Sequence, residues 1–285
     1  MPSDTSRSAS APKNGEPNGV VRLLDVHKSF GHNHVLRGLT LSFPAGCTTV
    51  VLGPSGCGKS VMLKHTIGLL KPDAGEVWYG DVRIDTRPEH ALSGIRRDFG
   101  YLFQNGALFD SLSVRDNVAF PLVEHTRFSA EQRRERVRYV VSLVGLIDFL
   151  DQMPSELSGG QRKRVALARA IVLDPKVILY DEPTTGLDPI RADTINELIL
   201  KLKRELQVTS IVVTHDLASA FKVADRMVML HEGVVVLEGE PEAFRRSTDP
   251  IVKRFLMGEA TPEYLDAMLA AAKMDEPHSS GRQGS

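Results

Sequence analysis

Three apolar runs dominate the hydrophobic pattern of the chain, namely CTTVVLG (47–53), KVILYDE (176–182) and SIVVTHD (210–216). None of them alternates apolar with polar positions, so each predicts a strand buried on both faces of a parallel sheet. A helix is expected after each run, because parallel strands need crossover connections. The pattern therefore indicates an α/β fold.

Other segments near the start of the chain favour a second, antiparallel sheet. They are VVRLLDVHKSF (20–30), HVLRGLTLSF (34–43) and EVWYGDVRI (76–84), separated by turns that contain glycine. Farther along, residues from about 110 to 172 carry helical spacing, which predicts a helical insertion in the α/β core. No internal repeat is present, so we expect one domain of this kind.

The two ends of the chain differ from this core in composition. Residues 1–19 are rich in Ser, Pro, Asn and Gly, which predicts a disordered tail. The domain is expected to span 20–245, followed by a C-terminal extension over 246–285. In that extension Thr261 suits a helix N-cap. One apolar face follows it, formed by Tyr264, Leu265, Met268 and Leu269. We expect a short amphipathic helix that packs against another surface, and then a frayed end.

Composition and charge exclude several classes of function. The 285 residues include 35 Lys and Arg against 36 Asp and Glu, and the net charge of −1 gives no positive field that would favour nucleic acid. Two cysteines, Cys47 and Cys57, do not make a disulfide framework, so a reduced cytoplasmic chain is expected. No apolar run approaches the ~20 residues of a membrane helix. Any membrane role would therefore come through a partner.

A complete phosphate-loop pattern, G-x-x-x-x-G-K-[ST], follows the first apolar run directly. Backbone N–H groups of such a loop, with the N-terminus of the next helix, bind phosphates. Lys59 would reach the β and γ oxygens, and Ser60 would hold Mg²⁺. The alternative is a glycine-rich turn with no ligand. The pattern covers Gly53, Pro54, Ser55, Gly56, Cys57, Gly58, Lys59 and Ser60.

Cys57 lies inside this loop and carries an expectation of its own. If the thiol faces the nucleotide, bound ATP should shield it from alkylation. The alternative is an inert small side chain that fills space in the interior.

Adjacent carboxylates, Asp181 and Glu182, end the second apolar run. One of them can hold Mg²⁺ while the other polarises the attacking water. An acidic pair at a strand end is usually only solvated, but its place downstream of a phosphate loop favours the catalytic interpretation.

A third motif, LSGGQ, begins a predicted helix at residues 157–161. Ser158 and Gln161 have the spacing of a capping box, which accounts for a well-capped helix. Capping does not account for Gly159 and Gly160, which weaken a first helical turn. A phosphate that approaches the backbone closely would account for them.

Together, GPSGCGKS, LSGGQ, VILYDEP and the GLDP that follows resemble the nucleotide-binding subunits of ABC transporters. The resemblance covers about residues 20–245. It implies a P-loop NTPase fold with a RecA-like parallel core, an antiparallel β subdomain and a helical subdomain. It also implies an ATPase that uses Mg²⁺ and works as a homodimer, in which the LSGGQ motif of each copy closes over the ATP of the other.

The same resemblance implies roles for single residues. Gln104 would sense Mg²⁺ and the γ-phosphate, His215 would contact the γ-phosphate, and Asp188 would link the two sites across the dimer. Phe30 would stack on adenine, although the family more often has tyrosine there, and the alternative is a core Phe at a strand end. Val61 joins the phosphate loop and LSGGQ in the implied ATP-binding set. The implied catalytic residues are Glu182, His215 and Lys59, and the implied metal ligands are Ser60, Gln104 and Asp181.

The stretch LFQNGALFDSL (102–112) places many apolar residues on a predicted loop. In the subunits that it resembles, the residues after Gln104 receive a coupling helix from the membrane permease. Leu108 and Phe109 would then form a docking site. The alternative is a satellite core beneath the helical insertion.

The wording of the longer segment FQNGALFDSLSVRDNVAFPLVEHT is similar to the ATPases of Mce-type lipid transporters, including the Mla phospholipid system. This implies a peripheral subunit at the cytoplasmic face of the bacterial inner membrane, with a permease and a periplasmic Mce-type protein as partners. The C-terminal extension would contact a second copy or a small regulatory subunit. One alternative is the ATPase of an importer for a small polar solute. Another is a soluble ABC protein acting on ribosomes or DNA, which usually has two cassettes or long coiled-coil insertions.

Overall fold

The computed structural model describes residues 20–259, which fall into two compact units. The first unit ends at Arg246. The second begins at Ser247 and contains the helix Pro250–Met257, whose N-cap Asp249 accepts hydrogen bonds from two backbone N–H groups. The predicted tail at 1–19 and the predicted amphipathic helix after Thr261 lie outside the described residues.

Strands and helices of the first unit alternate along most of its length. The strands are β1 (Val21–Phe30), β2 (Asn33–Phe43), β3 (Thr48–Leu52), β4 (Ala74–Tyr79), β5 (Val82–Arg83), β6 (Phe99–Leu102), β7 (Val177–Asp181), β8 (Thr209–Val213), β9 (Arg226–His231) and β10 (Val234–Gly239). The helices are α1 (Lys59–Thr66), α2 (Glu89–Arg96), α3 (Val114–His125), α4 (Ala130–Leu143), α5 (Gly159–Ile171), α6 (Pro189–Leu206), α7 (Leu217–Val223) and α8 (Pro241–Arg245). Short 3₁₀ turns lie at Ile147–Phe149 and Pro154–Glu156.

The larger sheet has the order β10-β9-β3-β8-β7-β6, and all of its neighbouring strands are parallel except the β9–β10 pair. Its three central strands, β3, β8 and β7, are the three apolar runs of the sequence, and all of their residues are buried. Two further parallel strands, β6 and β9, were not predicted. Strand β6 has only four residues and follows a charged stretch, while β9 contains two methionines among few β-branched residues.

The smaller sheet is antiparallel, in the order β2-β1-β4-β5, with the predicted hairpin between Tyr79 and Val82. Helix α1 joins the two sheets into one core. Its buried Met62 and Leu63 belong to a cluster that includes Leu23 of the smaller sheet and Leu179 of the larger one. Because α1 begins at Lys59, inside the phosphate-loop pattern, this core fixes the loop against both sheets.

The middle of the chain contains helices, as the spacing predicted. Helices α3 and α4 pack with α5, and α5 also packs against β6. Serine side chains cap all three helices: Ser113, Ser129 and Ser158 each accept a hydrogen bond from the backbone N–H three residues later. Among residues 20–259, no helix combines the length and the apolar character needed to cross a membrane.

Candidate nucleotide-binding and hydrolysis site

The loop between β3 and α1 has a backbone that only glycine accommodates at two positions. Gly53 has a φ of +152°, and a Cβ there would lie 2.1 Å from the carbonyl oxygen of Leu230. Gly58 has a φ of +107°, and a Cβ there would lie 3.0 Å from the carbonyl oxygen of Val35. The turn therefore places the N-terminus of α1 beside the loop, where unpaired N–H groups favour an anion.

Lys59, the first residue of α1, keeps its ammonium group at the loop. Its Nζ donates to the carbonyl oxygens of Gly53, at 2.7 Å, and Pro54, at 2.9 Å. The residue is 7% exposed. Its positive charge thus adds to the helix N-terminus at the point where a phosphate would bind.

Ser60 and Asp181 bring hard oxygen ligands together on the other side of the loop. The Ser60 hydroxyl donates to Asp181 Oδ1 at 3.0 Å, and Tyr101 donates its hydroxyl to Asp181 Oδ2 at 3.1 Å. Burial, followed by the charge of Asp181, raises the pKa of Tyr101, which keeps this phenol a donor. A hydroxyl and a carboxylate in contact fit the ligand chemistry of Mg²⁺.

Glu182 follows β7 and has a φ of +52°, a left-handed conformation that is uncommon for a residue with a side chain. Its N–H donates to Val213 O at 2.9 Å. Its carboxylate accepts hydrogen bonds from Thr185 Oγ1, at 3.1 Å, and Thr214 Oγ1, at 3.4 Å. His215 Nδ1 lies 3.0 Å from Glu182 Oε1. The strained turn therefore brings the hydrogen-bonded carboxylate of Glu182 and the imidazole of His215 to the same cleft.

One open cleft brings together most of the residues that the sequence indicated. Phe30 at its edge is 50% exposed, so its ring is accessible to a flat base and is not a core side chain. Lys28 Nζ lies 5.6 Å from the centre of that ring. The lining includes Phe30, Ser55, Gly56, Gly58, Lys59, Ser60, Val61, Gln104, Glu182 and His215.

Cys57 departs from the expectation that its thiol faces the nucleotide. The residue is 6% exposed, and its Sγ lies 2.7 Å from where a Cβ on Gly53 would be. Burial raises the pKa of this thiol. The side chain therefore packs in the interior, and the inert alternative is the better interpretation.

The LSGGQ segment forms the predicted capping box at the start of α5. Ser158 N donates to Gln161 Oε1 at 2.8 Å, and Gln161 N donates to Ser158 Oγ at 3.3 Å. A Cβ at Gly159 or Gly160 would meet its nearest neighbour at 3.8 and 3.5 Å, which are ordinary contact distances. Packing within the chain therefore does not require these glycines, and close approach by another molecule still accounts for them.

The capping box does not share the cleft of the phosphate loop. Ser158, Gly160 and Gln161 line a separate cleft with Arg164 and Arg191. Asp188, predicted to link two sites, is the N-cap of α6, where it accepts from Arg191 N at 3.0 Å and pairs with Arg191 Nε at 3.2 Å. In a single chain the phosphate loop and the LSGGQ segment therefore line two separate clefts.

Sequence reasoning missed the groups that hold Glu182 in place. The hydroxyls of Thr185 and Thr214 gave no signal, because their spacing to Glu182 has meaning only after folding. Lys163 did leave a signal, since it lies one helical turn before Ala166 and Leu167 on the buried stripe of α5. A lysine in such a stripe predicts a buried polar contact.

The loop after β6 forms a second candidate surface. Leu102 is buried, Leu108 is partly buried, and Phe109 is 42% exposed. Buried Asn117 holds the loop: it accepts from Phe109 N at 2.9 Å and donates to the carbonyl oxygens of Phe109 and Leu112 at 3.0 and 2.9 Å.

Phe109 lines a groove on this surface. Its ring lies 4.9 Å from that of Phe120, and Arg169 lies 5.7 Å from the ring centre. Phe103 also lines the groove, whereas Leu108 does not. Phe109 is therefore a rigidly presented surface residue, which argues against the satellite-core alternative.

Comparison with known proteins places these features in a family. Residues 36–185 match the family described as ABC transporter. The probable ribonucleotide transport ATP-binding protein mkl of Mycobacterium tuberculosis is 43% identical over 249 residues, which are 87% of this chain and 69% of that protein. The intermembrane phospholipid transport system ATP-binding protein MlaF of Escherichia coli K12 is 39% identical over 241 residues, which are 85% of this chain and 90% of MlaF.

Solved structures give the same picture. The dimeric post-hydrolysis state of the ATP-binding cassette MJ0796, bound to ADP and Pi, matches with a TM-score of 0.72 at 36% identity. The match covers 77% of this chain and 98% of that one.

Proposed function

The chain belongs to the ABC transporter family, and from that premise we propose that two copies of it close around two ATP molecules and drive lipid transport through a membrane permease. ATP binding and hydrolysis are the activity of the family, and the P-loop fold expected from the sequence is the fold of its cassettes. The observation that carries the proposal is the phosphate-loop cleft, which unites Lys59, Ser60, Glu182 and His215 in one chain but leaves LSGGQ on another surface.

The separation of the two clefts is the reason to propose a dimer. Glycines at 159 and 160 have space that the chain itself does not use, and a capped helix N-terminus there would bind a phosphate. A second copy related by a two-fold axis would present its own LSGGQ to the phosphate loop of the first. The dimeric form of MJ0796, a cassette with ADP and Pi, supports this arrangement.

In the proposed reaction, the chain's own groups bind, orient and accept charge. The N-terminus of α1 and Lys59 hold the phosphates. Ser60 and Asp181, with Gln104 from the same cleft, would hold Mg²⁺, which would neutralise charge on the β and γ oxygens. Glu182 accepts a proton from the attacking water.

His215 acts beside Glu182 in this scheme. When its Nδ1–H donates to Glu182, only the protonated ring can also donate from Nε2 to a phosphate oxygen. The pair thus orients the base and stabilises phosphate charge together.

The groove at Phe109 is proposed to receive a helix of the permease. Three exposed or half-exposed aromatic rings, those of Phe103, Phe109 and Phe120, line it beside Arg169. Aromatic anchors next to an arginine are typical of binding hot spots. Asn117 holds the loop rigidly, so binding there orders little backbone. Tyr101 also lines the groove, and its hydroxyl donates to Asp181 in the ATP site.

The proposal that the cargo is a lipid rests on similarity to MlaF, a phospholipid transport protein by name, and on the segment from Phe103 to Thr126. The assembly would lie at the cytoplasmic face of a bacterial inner membrane, with an Mce-type protein in the periplasm. A second copy or a small regulatory subunit would contact the C-terminal extension. A second candidate cargo is a ribonucleotide, because the mkl protein carries that name at slightly higher identity.

Purification of the complex from membranes tests the cargo directly. The chain would be isolated with its permease, reconstituted in vesicles, and supplied in turn with labelled phospholipid and labelled ribonucleotide. Lipid transfer that requires ATP supports the proposal. Transfer of the ribonucleotide alone would favour the second candidate, and purification with ribosomes or DNA would overturn both.

A further inference from the structure

Lys163 is a buried lysine whose role no motif assigns. It lies on α5, two residues after the capping-box residue Gln161, and is 7% exposed. A buried ammonium group is costly unless its N–H donors are satisfied. Its partners therefore indicate what the residue does.

All three donors of the ammonium group go to one short segment. Lys163 Nζ donates to the carbonyl oxygens of Glu182, at 3.2 Å, Pro183, at 2.9 Å, and Thr185, at 2.7 Å. Desolvation by burial lowers the pKa of Lys163, and the nearby charge of Glu182 opposes that shift. The lysine is thus used to hold backbone, with no partner carboxylate in hydrogen-bond distance among the described residues.

Lys163 holds a segment whose backbone conformation is strained. Glu182 has a φ of +52°, a strained conformation for a residue with a side chain, which persists only when its surroundings enforce it. One side of the turn is fixed by Glu182 N donating to Val213 O. The other side is fixed by Lys163, so the carboxylate leaves the turn in a defined direction.

We propose that Lys163 is a positioning residue, which holds the turn at Glu182 so that its carboxylate meets the attacking water. The inference rests on the proposed role of Glu182 as the base. Because Ser158 caps the N-terminus of α5, Lys163 connects the helix that follows LSGGQ with the turn at Glu182 in the same chain.

Three variants of the full chain, assembled with its permease, test this role. Lys163→Met keeps most of the volume and removes all three donors, while Lys163→Gln keeps two donors on a side chain one bond shorter. Arg136→Met is the matched control, because Arg136 also donates to backbone carbonyls, those of Ile171 and Val172 at the far end of α5. Each protein is assayed for kcat, KM for ATP and melting temperature.

The expected result is a graded loss of kcat at constant KM. A misplaced reacting group costs up to about 100-fold in rate, so Lys163→Met should lose roughly 10-fold to 100-fold in kcat, with Lys163→Gln intermediate. KM should stay within about twofold, because the phosphate contacts are intact. Arg136→Met should keep the wild-type kcat even if its melting temperature falls.

Two results would overturn the proposal. The first is a wild-type kcat in a folded Lys163→Met protein or, if that variant does not fold, in Lys163→Gln. The second is a loss that affects kcat, KM and melting temperature together and equals that of Arg136→Met. Glu182→Gln is measured in parallel: if it hydrolyses ATP normally, the proposed function fails, whereas an inactive Glu182→Gln beside a normal Lys163→Met refutes only this inference.

Discussion

Removing the ring of Phe109 should separate ATP binding from permease docking. The ring is 42% exposed, and its described contacts within the fold are with Phe120 and Arg169. An aromatic pair contributes about 0.5–1.5 kcal/mol beyond burial, and an exposed cation–π contact about 0.5–1 kcal/mol. Phe109→Ala should therefore lower the free energy of unfolding of the isolated subunit by about 1–2.5 kcal/mol, which a domain of this size tolerates.

The cost at the permease should be larger. Truncation of an aromatic hot spot costs about 2 kcal/mol or more, which corresponds to a roughly 30-fold rise in Kd. Phe109→Asp adds the desolvation of a carboxylate and should weaken docking further. ATP affinity should stay unchanged in both variants, because Phe109 does not line the nucleotide cleft.

Phe128→Ala provides the matched control for this experiment. Phe128 has the same 42% exposure as Phe109 but does not line the groove. Binding of each purified subunit to permease in detergent would be titrated, together with ATP affinity and the melting temperature. Equal permease affinity for Phe109→Ala and Phe128→Ala would refute the docking argument, and an unfolded Phe109→Ala would restore the satellite-core interpretation.

Four further predictions concern the phosphate loop and the end of the chain. Alkylation of Cys57 should be slow both with and without ATP, because burial raises the pKa of its thiol; mass spectrometry should find the partly exposed Cys47 labelled first. The neutral, buried Cys57 thiol should contribute fully to the free energy of unfolding at pH values below the ordinary thiol pKa. This contribution should be lost as the pH rises through the raised pKa of the folded protein, and thermal melts at several pH values can test this. Ser60→Ala should weaken ATP binding about 10-fold in Mg²⁺ and leave it unchanged in EDTA by calorimetry, since only the metal needs the hydroxyl. Truncation after Glu259 should weaken assembly of the complex, as measured by size-exclusion chromatography, and leave ATP affinity intact. An unchanged complex would indicate that the extension only packs locally.

The parts of the site that the sequence predicted are those with local causes. The phosphate loop depends on glycine conformations that no other residue adopts, as at Gly53 and Gly58. The capping box of Ser158 and Gln161 lies within four residues, and the three buried strands are continuous apolar runs. In each case the physical reason acts within one short segment, so a single sequence reveals it.

The parts that were missed have long-range causes. Strand β6 is stabilised by pairing with β7 and by packing against α5. The sequence of its four residues indicates neither contact. Asn117 looks like an ordinary helix residue until folding places loop carbonyls around it. The roles of Asp188 and Gln104 stay predictions that depend on a second chain and on Mg²⁺.

Two copies of the chain are proposed to enclose ATP, with Glu182 accepting the proton of the water that hydrolyses it. The most direct measurement is light scattering on Glu182→Gln protein eluted from a sizing column after incubation with ATP and Mg²⁺, with the nucleotide in the peak identified. The amide cannot accept the proton from water, so we expect a species of twice the chain mass that holds two unhydrolysed ATP molecules. A species of single-chain mass would contradict the proposed dimer, and a peak that contains ADP would contradict the role of Glu182.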